Sequence, residues 1–99
     1  MYVIIWEYRV KWGKQSEFEA IYSPNGAWAK LFSKEPGYLG TTFLRDTKDP
    51  QRYVTIDRWT SKEAYENFLN QRAKEYRVLD ADCEELTEQE APLGTWNST

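Results

Sequence analysis

The order of segments in this sequence predicts an α+β domain that runs strand, helix, strand, strand, helix, strand. Three observations support the prediction. Apolar residues alternate with polar ones in β-type segments, they recur at three- and four-residue spacing in two other segments, and 99 residues leave room for only one hydrophobic core. We therefore take residues 1–99 as one domain, with residues 97–99 as a flexible tail.

The first strand and the first helix are predicted over residues 2–10 and roughly 14–33. Every second residue of the strand is apolar, so one face is continuous: Tyr2, Ile4, Trp6, Tyr8 and Val10. Ser16 and Glu19 have the spacing of a capping box at a helix start. Because Pro24 falls inside the helical pattern, we expect either a kinked helix or two short ones.

A hairpin and a second helix follow. Tyr38–Arg45 and Arg52–Trp59 are the predicted strands, joined by a polar turn. Thr60 and Glu63 form a second capping box, and the helix that they begin carries its apolar stripe as far as Leu79. A weak last strand is predicted at Cys83–Leu86, with Leu93–Trp96 as a candidate extension beyond a polar separator.

This order of elements is that of the ferredoxin-like fold, a four-stranded antiparallel sheet with the helices on one face. The other face of the predicted sheet also carries apolar residues, among them Val3, Ile5, Val54 and Ile56. A domain of this size buries only about 60–65% of the surface that its unfolded chain exposes. We therefore expect a homodimer in which a second copy covers this face.

Charge and composition exclude several functional classes. The net charge is −3, and residues 78–99 hold six acidic residues and no base, which argues against nucleic-acid binding. The stretch Gln51–Ile56 also lacks the glycines of an RNA recognition module. With no His, the chain can form neither a Ser–His nor a Cys–His pair, and it has no Gly-rich phosphate loop.

Location and metal binding are also constrained by the sequence. Cys83 is the only cysteine, so we expect no internal disulfide, no metal cluster and a reducing, cytoplasmic environment. Glu7 and Arg9 interrupt the apolar start of the chain, and no segment approaches the roughly 20 apolar residues of a membrane span. We expect neither a signal peptide nor contact with a membrane.

The junction Tyr53–Tyr65, supported by Gly37–Gly40 and Phe18, resembles the antibiotic biosynthesis monooxygenase domain family. The resemblance extends from Tyr2 to about Trp96. It implies a homodimer whose two sheets form a β-barrel, with a small pocket in each subunit between helices and sheet. Some members oxidise aromatic polyketides with dioxygen and use neither flavin nor metal, so no cofactor is expected. Others degrade haem with a histidine ligand, which this chain lacks.

The candidate catalytic residues are Trp59, Asp57 and Arg72. The resemblance places Trp59 at the pocket, and a hydrophobic plug between strand and helix is the alternative. Asp57 points to the same face as Trp59 and would act as a base if burial raised its pKa, or would instead pair with Arg72. Arg72 is either an ion-paired residue or an anion-binding one.

Aromatic residues at core spacing are the candidates for substrate binding: Trp6, Tyr22, Trp28, Tyr53, Tyr65 and Phe68. Core packing is the alternative role for each. The first functional hypothesis is a cofactor-independent monooxygenase acting on a small aromatic, polyketide-like or quinone-forming compound. The second is a homodimer without catalysis that binds a small molecule or has a structural role. The sequence does not name the substrate.

Overall fold

A computed structural model describes residues 1–99 and confirms the ferredoxin-like α+β fold. The four antiparallel strands are β1 (Tyr2–Val10), β2 (Tyr38–Arg45), β3 (Arg52–Trp59) and β4 (Thr87–Asn97), and their spatial order is β2-β3-β1-β4. The helices are α1 (Gln15–Tyr22), α2 (Ala27–Phe32), α3 (Lys62–Gln71) and α4 (Ala73–Cys83). None of them is long and apolar enough to cross a membrane.

The first helical region is divided into α1 and α2, which is the second of the two alternatives that the proline in its middle predicted. Gly26 precedes α2 and lies so close to α1 that a Cβ atom there would be 2.3 Å from the carbonyl oxygen of Ile21. The predicted capping box at the start of α1 was wrong, because Lys14 is the N-cap residue and no side chain caps the helix. Glu19 instead accepts a 2.5 Å hydrogen bond from the Tyr53 hydroxyl.

The second helical region differs from the prediction in two ways. It is divided into α3 and α4 at Arg72, whose φ of −120° is not helical. Its cap is Ser61 rather than Thr60, since the Ser61 hydroxyl accepts a 3.1 Å hydrogen bond from the backbone N–H of Ala64. The break allows α4 to turn relative to α3.

The last strand lies later in the chain than predicted. Cys83 ends α4, Glu84–Leu86 form a 3₁₀ turn, and the supposed polar separator is part of β4. This strand lies at an edge of the sheet and is mostly exposed, so it tolerates polar residues and Pro92, which sits beside a register shift. Asn97 pairs with Tyr2, and the backbone N–H of Ser98 donates a 2.9 Å hydrogen bond to Met1.

The core lies between the helices and one face of the sheet. Its largest fully buried side chains are Trp59, Tyr53, Phe18, Phe68 and Val10. No helix covers the opposite face, which carries half-buried or exposed apolar side chains: Val3, Ile5, Leu44, Val54, Ile56 and Trp96. The sheet is therefore apolar on both faces, and the chain itself covers only one of them.

Candidate functional site

A cavity lies between the helical layer and the sheet. It holds about 620 Å³ of empty space, including its open mouth, and nine of its 14 lining residues are hydrophobic. All four strands and all four helices contribute to its wall. A concave site lined mainly by apolar groups with a few polar ones is typical of small-molecule binding.

Aromatic rings form most of the cavity wall. The rings of Trp28 and Tyr76 meet edge to face with their centroids 5.1 Å apart, and Trp6 stacks on Tyr8 at 6.4 Å. The side chain of Tyr65 completes this wall from α3. These rings present flat apolar surfaces, which favour contact with an aromatic molecule.

Asp57 lies in the wall of the cavity and is only 8% exposed. It sits on β3 between Thr41 of β2 and Ile4 of β1. The Thr41 hydroxyl donates a 2.6 Å hydrogen bond to Oδ1 of Asp57, and the Tyr38 hydroxyl in turn bonds to Thr41. The second carboxylate oxygen, Oδ2, has no hydrogen-bond partner in the protein.

The position of Asp57 changes its acid–base behaviour. Burial raises its pKa from 3.8 to about 6, against the smaller opposing effects of the Thr41 hydrogen bond and of Arg58. A carboxylate with a pKa near neutrality and one free oxygen in an apolar cavity is suited to general base catalysis.

The tyrosine hydroxyls around the cavity remain protonated and act as hydrogen-bond donors. The buried hydroxyl of Tyr8 lies 3.2 Å from that of Thr55, and burial raises the pKa of Tyr8 above its ordinary value. Burial also raises the pKa of Tyr65 to about 12. Both side chains are therefore protonated at neutral pH and can donate a hydrogen bond to an oxygen of a bound molecule.

Acidic side chains occupy the mouth of the cavity. Asp80 comes from α4 and is partly buried, and Glu90 comes from β4 and is exposed. Partial desolvation of the Glu90 carboxyl by its neighbours raises its pKa, although the residue as a whole is exposed, and the negative charges of Asp80 and Glu84 raise the pKa further. No lysine or arginine lines the cavity, and no three His, Cys, Asp or Glu side chains are grouped to hold a metal ion.

Five of the residues selected from the sequence meet in this cavity: Asp57, Trp6, Tyr22, Trp28 and Tyr65. The structure places the others elsewhere. Trp59 is fully buried and packs edge to face against Tyr65, with 5.3 Å between ring centroids, so it supports the wall without lining it. Tyr53 and Phe68 also lie in the core outside the cavity.

Arg72 lies at the break between α3 and α4, outside the cavity. Its guanidinium donates a 3.2 Å hydrogen bond to Glu75 rather than to Asp57. The Asp57 carboxylate is thus stabilised by a hydroxyl and not by a direct ion pair.

Several cavity residues were not selected from the sequence. Tyr8 and Ile4 lie on the apolar face of β1, and Tyr76 lies on the apolar stripe of the second helical region, so the pattern contained a signal for them. The sequence pattern contained no such signal for four other cavity residues: Thr41, Thr55, Asp80 and Glu90. The acidic stretch reaches the cavity in two ways, because α4 carries Asp80 and the pairing of β4 with β1 sets Glu90 opposite Tyr8.

Comparison with known proteins gives a consistent family. The family model described as antibiotic biosynthesis monooxygenase matches residues 1–76. Deoxynogalonate monooxygenase from Streptomyces nogalater is 32% identical over 59 residues, which are 60% of this chain and 48% of that protein. The match therefore spans about half the length of that relative.

Solved structures share the fold. SnoaB from Streptomyces nogalater, described as a cofactor-independent oxygenase, superimposes with a TM-score of 0.81 at 22% identity, covering 99% of this chain and 92% of its own. PA3566 from Pseudomonas aeruginosa gives a TM-score of 0.75 at 16% identity, and the superposition covers 99% of this chain and 93% of PA3566. At these identities the likeness concerns the fold.

Proposed function

Because this chain belongs to the antibiotic biosynthesis monooxygenase family, we propose that it is a monooxygenase that oxidises a small, planar, quinone-forming aromatic compound with dioxygen and no bound cofactor. The observation that carries the proposal is Asp57, a buried carboxylate with a pKa of about 6 and a free oxygen, in a cavity walled by aromatic rings. The 32% identity to deoxynogalonate monooxygenase over 59 residues supports a monooxygenase activity.

The reaction begins with proton transfer to Asp57 from an acidic CH₂ group of the substrate, or from the O–H group of its enol tautomer. The resulting carbanion gives one electron to dioxygen, and the substrate radical and superoxide combine to form a C–O bond. The peroxide then loses its second C–H proton as the O–O bond breaks. A CH₂ group becomes C=O, one oxygen atom enters the product, and the other leaves as water with the two protons.

The remaining cavity residues orient the substrate and exclude water. The aromatic wall that includes Trp6, Trp28 and Tyr76 holds the ring system flat, which fixes the acidic proton near Asp57. The hydroxyl of Tyr65 is a donor for the oxygen that becomes an enolate. Thr41 holds the carboxylate in one orientation, so its free oxygen faces the substrate.

Oxygen uptake with a panel of anthrones and hydroquinones tests the proposal. We expect at least one compound to consume oxygen well above the buffer rate. Asp57→Asn lowers that rate by about 10²–10⁴-fold, the usual contribution of a general base. Asp82→Asn is the matched control, because Asp82 is exposed and does not line the cavity, and it leaves the rate unchanged. Buffer rates for every compound would contradict the proposal.

We also propose that two copies associate through the open face of the sheet to form a β-barrel. The apolar side chains there, with Leu44 and Trp96 each 49% exposed, support this arrangement. Ile56→Lys places a charge at the centre of the face and shifts sedimentation from dimer to monomer. Val78→Lys on α4 is the control, since Val78 is 58% exposed and away from the sheet. A wild-type monomer at micromolar concentration would contradict the dimer.

A binding protein without catalysis is the second candidate. It is favoured by the placement of Trp59 and Arg72, two of the three sequence-selected catalytic residues, outside the cavity. Saturable binding of an aromatic compound, with no oxygen uptake in any variant, would support this candidate. Loss of turnover in Asp57→Asn with unchanged binding would exclude it.

A further inference from the structure

We infer that the cavity selects aromatic compounds that carry a protonated amine over those that carry a carboxylate, with the amine bound at the acidic mouth formed by Asp80 and Glu90. The inference deepens the proposed function, because it rests on the cavity being the substrate site and assigns a charge class to the substrate.

The charges around the cavity are all of one sign. Asp57, Asp80 and Glu90 are its only charged lining residues, and neither lysine nor arginine reaches it. Arg58, the one basic group that acts on the Asp57 carboxyl, points to the other face of the sheet. A bound carboxylate would meet three like charges with no counter-ion, whereas an ammonium group would supply the missing counter-ion.

The carboxylate inside the cavity provides an observation that is independent of the acidic mouth. Asp57 is only 8% exposed, and its Oδ2 atom has no partner among the protein's hydrogen-bond donors. Oδ2 is not among the fully buried unpaired atoms, so it is open to the cavity and can accept a hydrogen bond from a donor or a cation on a ligand there. It offers nothing favourable to an anion.

The mouth itself is arranged for a cation. Tyr76 lines the same cavity as the three carboxylates, and after burial the charges of Asp80, Glu90 and Asp57 raise the pKa of Tyr76. Its ring meets that of Trp28 at 65°, and both rings line the cavity together with Asp80 and Glu90. An ammonium group here gains an ion pair with Asp80 and Glu90, relieves their mutual repulsion, and interacts with the faces of these rings.

Three naphthalene probes test the inference because they share one ring system and differ in charge. The probes are 1-naphthylmethylamine, 1-naphthalenemethanol and 1-naphthoate, titrated calorimetrically at low ionic strength near neutral pH. We expect the amine to bind about tenfold or more tightly than the carboxylate, with the alcohol between them. Added salt reduces the ratio, since the charges at the mouth are partly exposed.

Two double variants distinguish the effect of the two charges at the mouth from the effect of the protein's net charge. In Asp80→Asn/Glu90→Gln, the amine-to-carboxylate ratio of affinities falls by about fivefold or more. In the control Asp82→Asn/Glu85→Gln, the ratio stays at the wild-type value, because the same two charges are removed from exposed residues outside the cavity. Near-UV circular dichroism verifies folding, and Glu90→Gln alone, at an exposed position, replaces the first variant if that variant unfolds.

The inference is overturned if the affinities of amine and carboxylate are equal or reversed, if no probe binds, or if the control variant lowers the ratio as much as the cavity variant does. These outcomes are distinct from failure of the proposed function, since binding is measured without turnover. A protein that shows the amine preference but no oxygen uptake supports the inference and contradicts only the oxygenase proposal.

Discussion

Asp57→Asn should make the protein more stable at neutral pH while removing its proposed base. Burial raises the pKa of Asp57 from 3.8 to about 6. At about 1.4 kcal/mol per pKa unit, an ionised Asp57 therefore costs the folded state about 3 kcal/mol. The bound proton stabilises the folded state fully when the pH is below the pKa of Asp57 in the unfolded chain. This stabilisation is lost as the pH rises through the pKa of Asp57 in the folded protein. Asparagine keeps an oxygen that can accept the Thr41 hydrogen bond, and it cannot ionise.

Urea denaturation of both proteins from pH 4 to pH 8, at one protein concentration, measures this effect. The stability of the variant relative to wild type should rise by roughly 2–3 kcal/mol between these limits, with a midpoint between the unfolded and folded pKa values. A difference that stays flat with pH would show that the carboxylate is well solvated, and the argument for a tuned base would fail.

Asp46→Asn is the matched control, because the sign of its effect is opposite. Hydrogen bonds from the backbone N–H groups of Lys48 and Asp49, followed by Arg52, lower the pKa of Asp46. The ionised Asp46 carboxylate stabilises the folded state when the pH is above the pKa of Asp46 in the unfolded chain. This stabilisation is lost as the pH falls through the lower pKa of Asp46 in the folded protein. Asp46→Asn should therefore be less stable than wild type at neutral pH, and the gap should close in acid.

Three further predictions concern packing. Trp59→Ala should lower the free energy of unfolding by about 3–5 kcal/mol, measured in urea, because Trp59 is fully buried; a loss below about 1 kcal/mol would contradict its central place in the core. Gly37→Ala should cost about 1–3 kcal/mol, since its Cβ would lie 2.4 Å from Cβ of Ala64 and 2.8 Å from Oγ1 of Thr60; an unchanged melting temperature would argue against this close approach. Cys83 is 3% exposed and burial raises its pKa, so a thiol reagent should modify it only in denaturant, and rapid reaction of the folded protein would show an open α4.

The strands of the hairpin were predictable because their signals are local. The alternation in Tyr38–Arg45 and Arg52–Trp59 reflects burial of one face, and both ranges match the structure. The parity of β3 also placed Asp57 and Trp59 on the same face, which the structure shows to be the helix-covered one. These predictions depend only on which side of a strand faces the core.

The errors arose where tertiary contacts override local patterns. Ser16 and Glu19 fit a capping box, but Tyr53 from β3 takes the Glu19 carboxylate as a hydrogen-bond acceptor. The polar residues 87–90 have the pattern of a loop, yet they belong to an edge strand that pairs with β1 and has little apolar surface to bury. Whether a residue such as Trp59 lines the cavity or lies behind its wall depends on how several helices pack, which strand parity does not determine.

The pH dependence of oxygen uptake tests most directly whether Asp57 is the base in this cavity. The substrate should be one that does not itself ionise between about pH 5 and 7. With it, kcat/KM should rise as the pH increases, and the midpoint of this acid limb should be the Asp57 pKa of about 6. Asp57→Asn should remove that limb and most of the activity. A rate that is independent of pH between about 5 and 7, or a variant that keeps both the limb and the activity, would contradict the assignment.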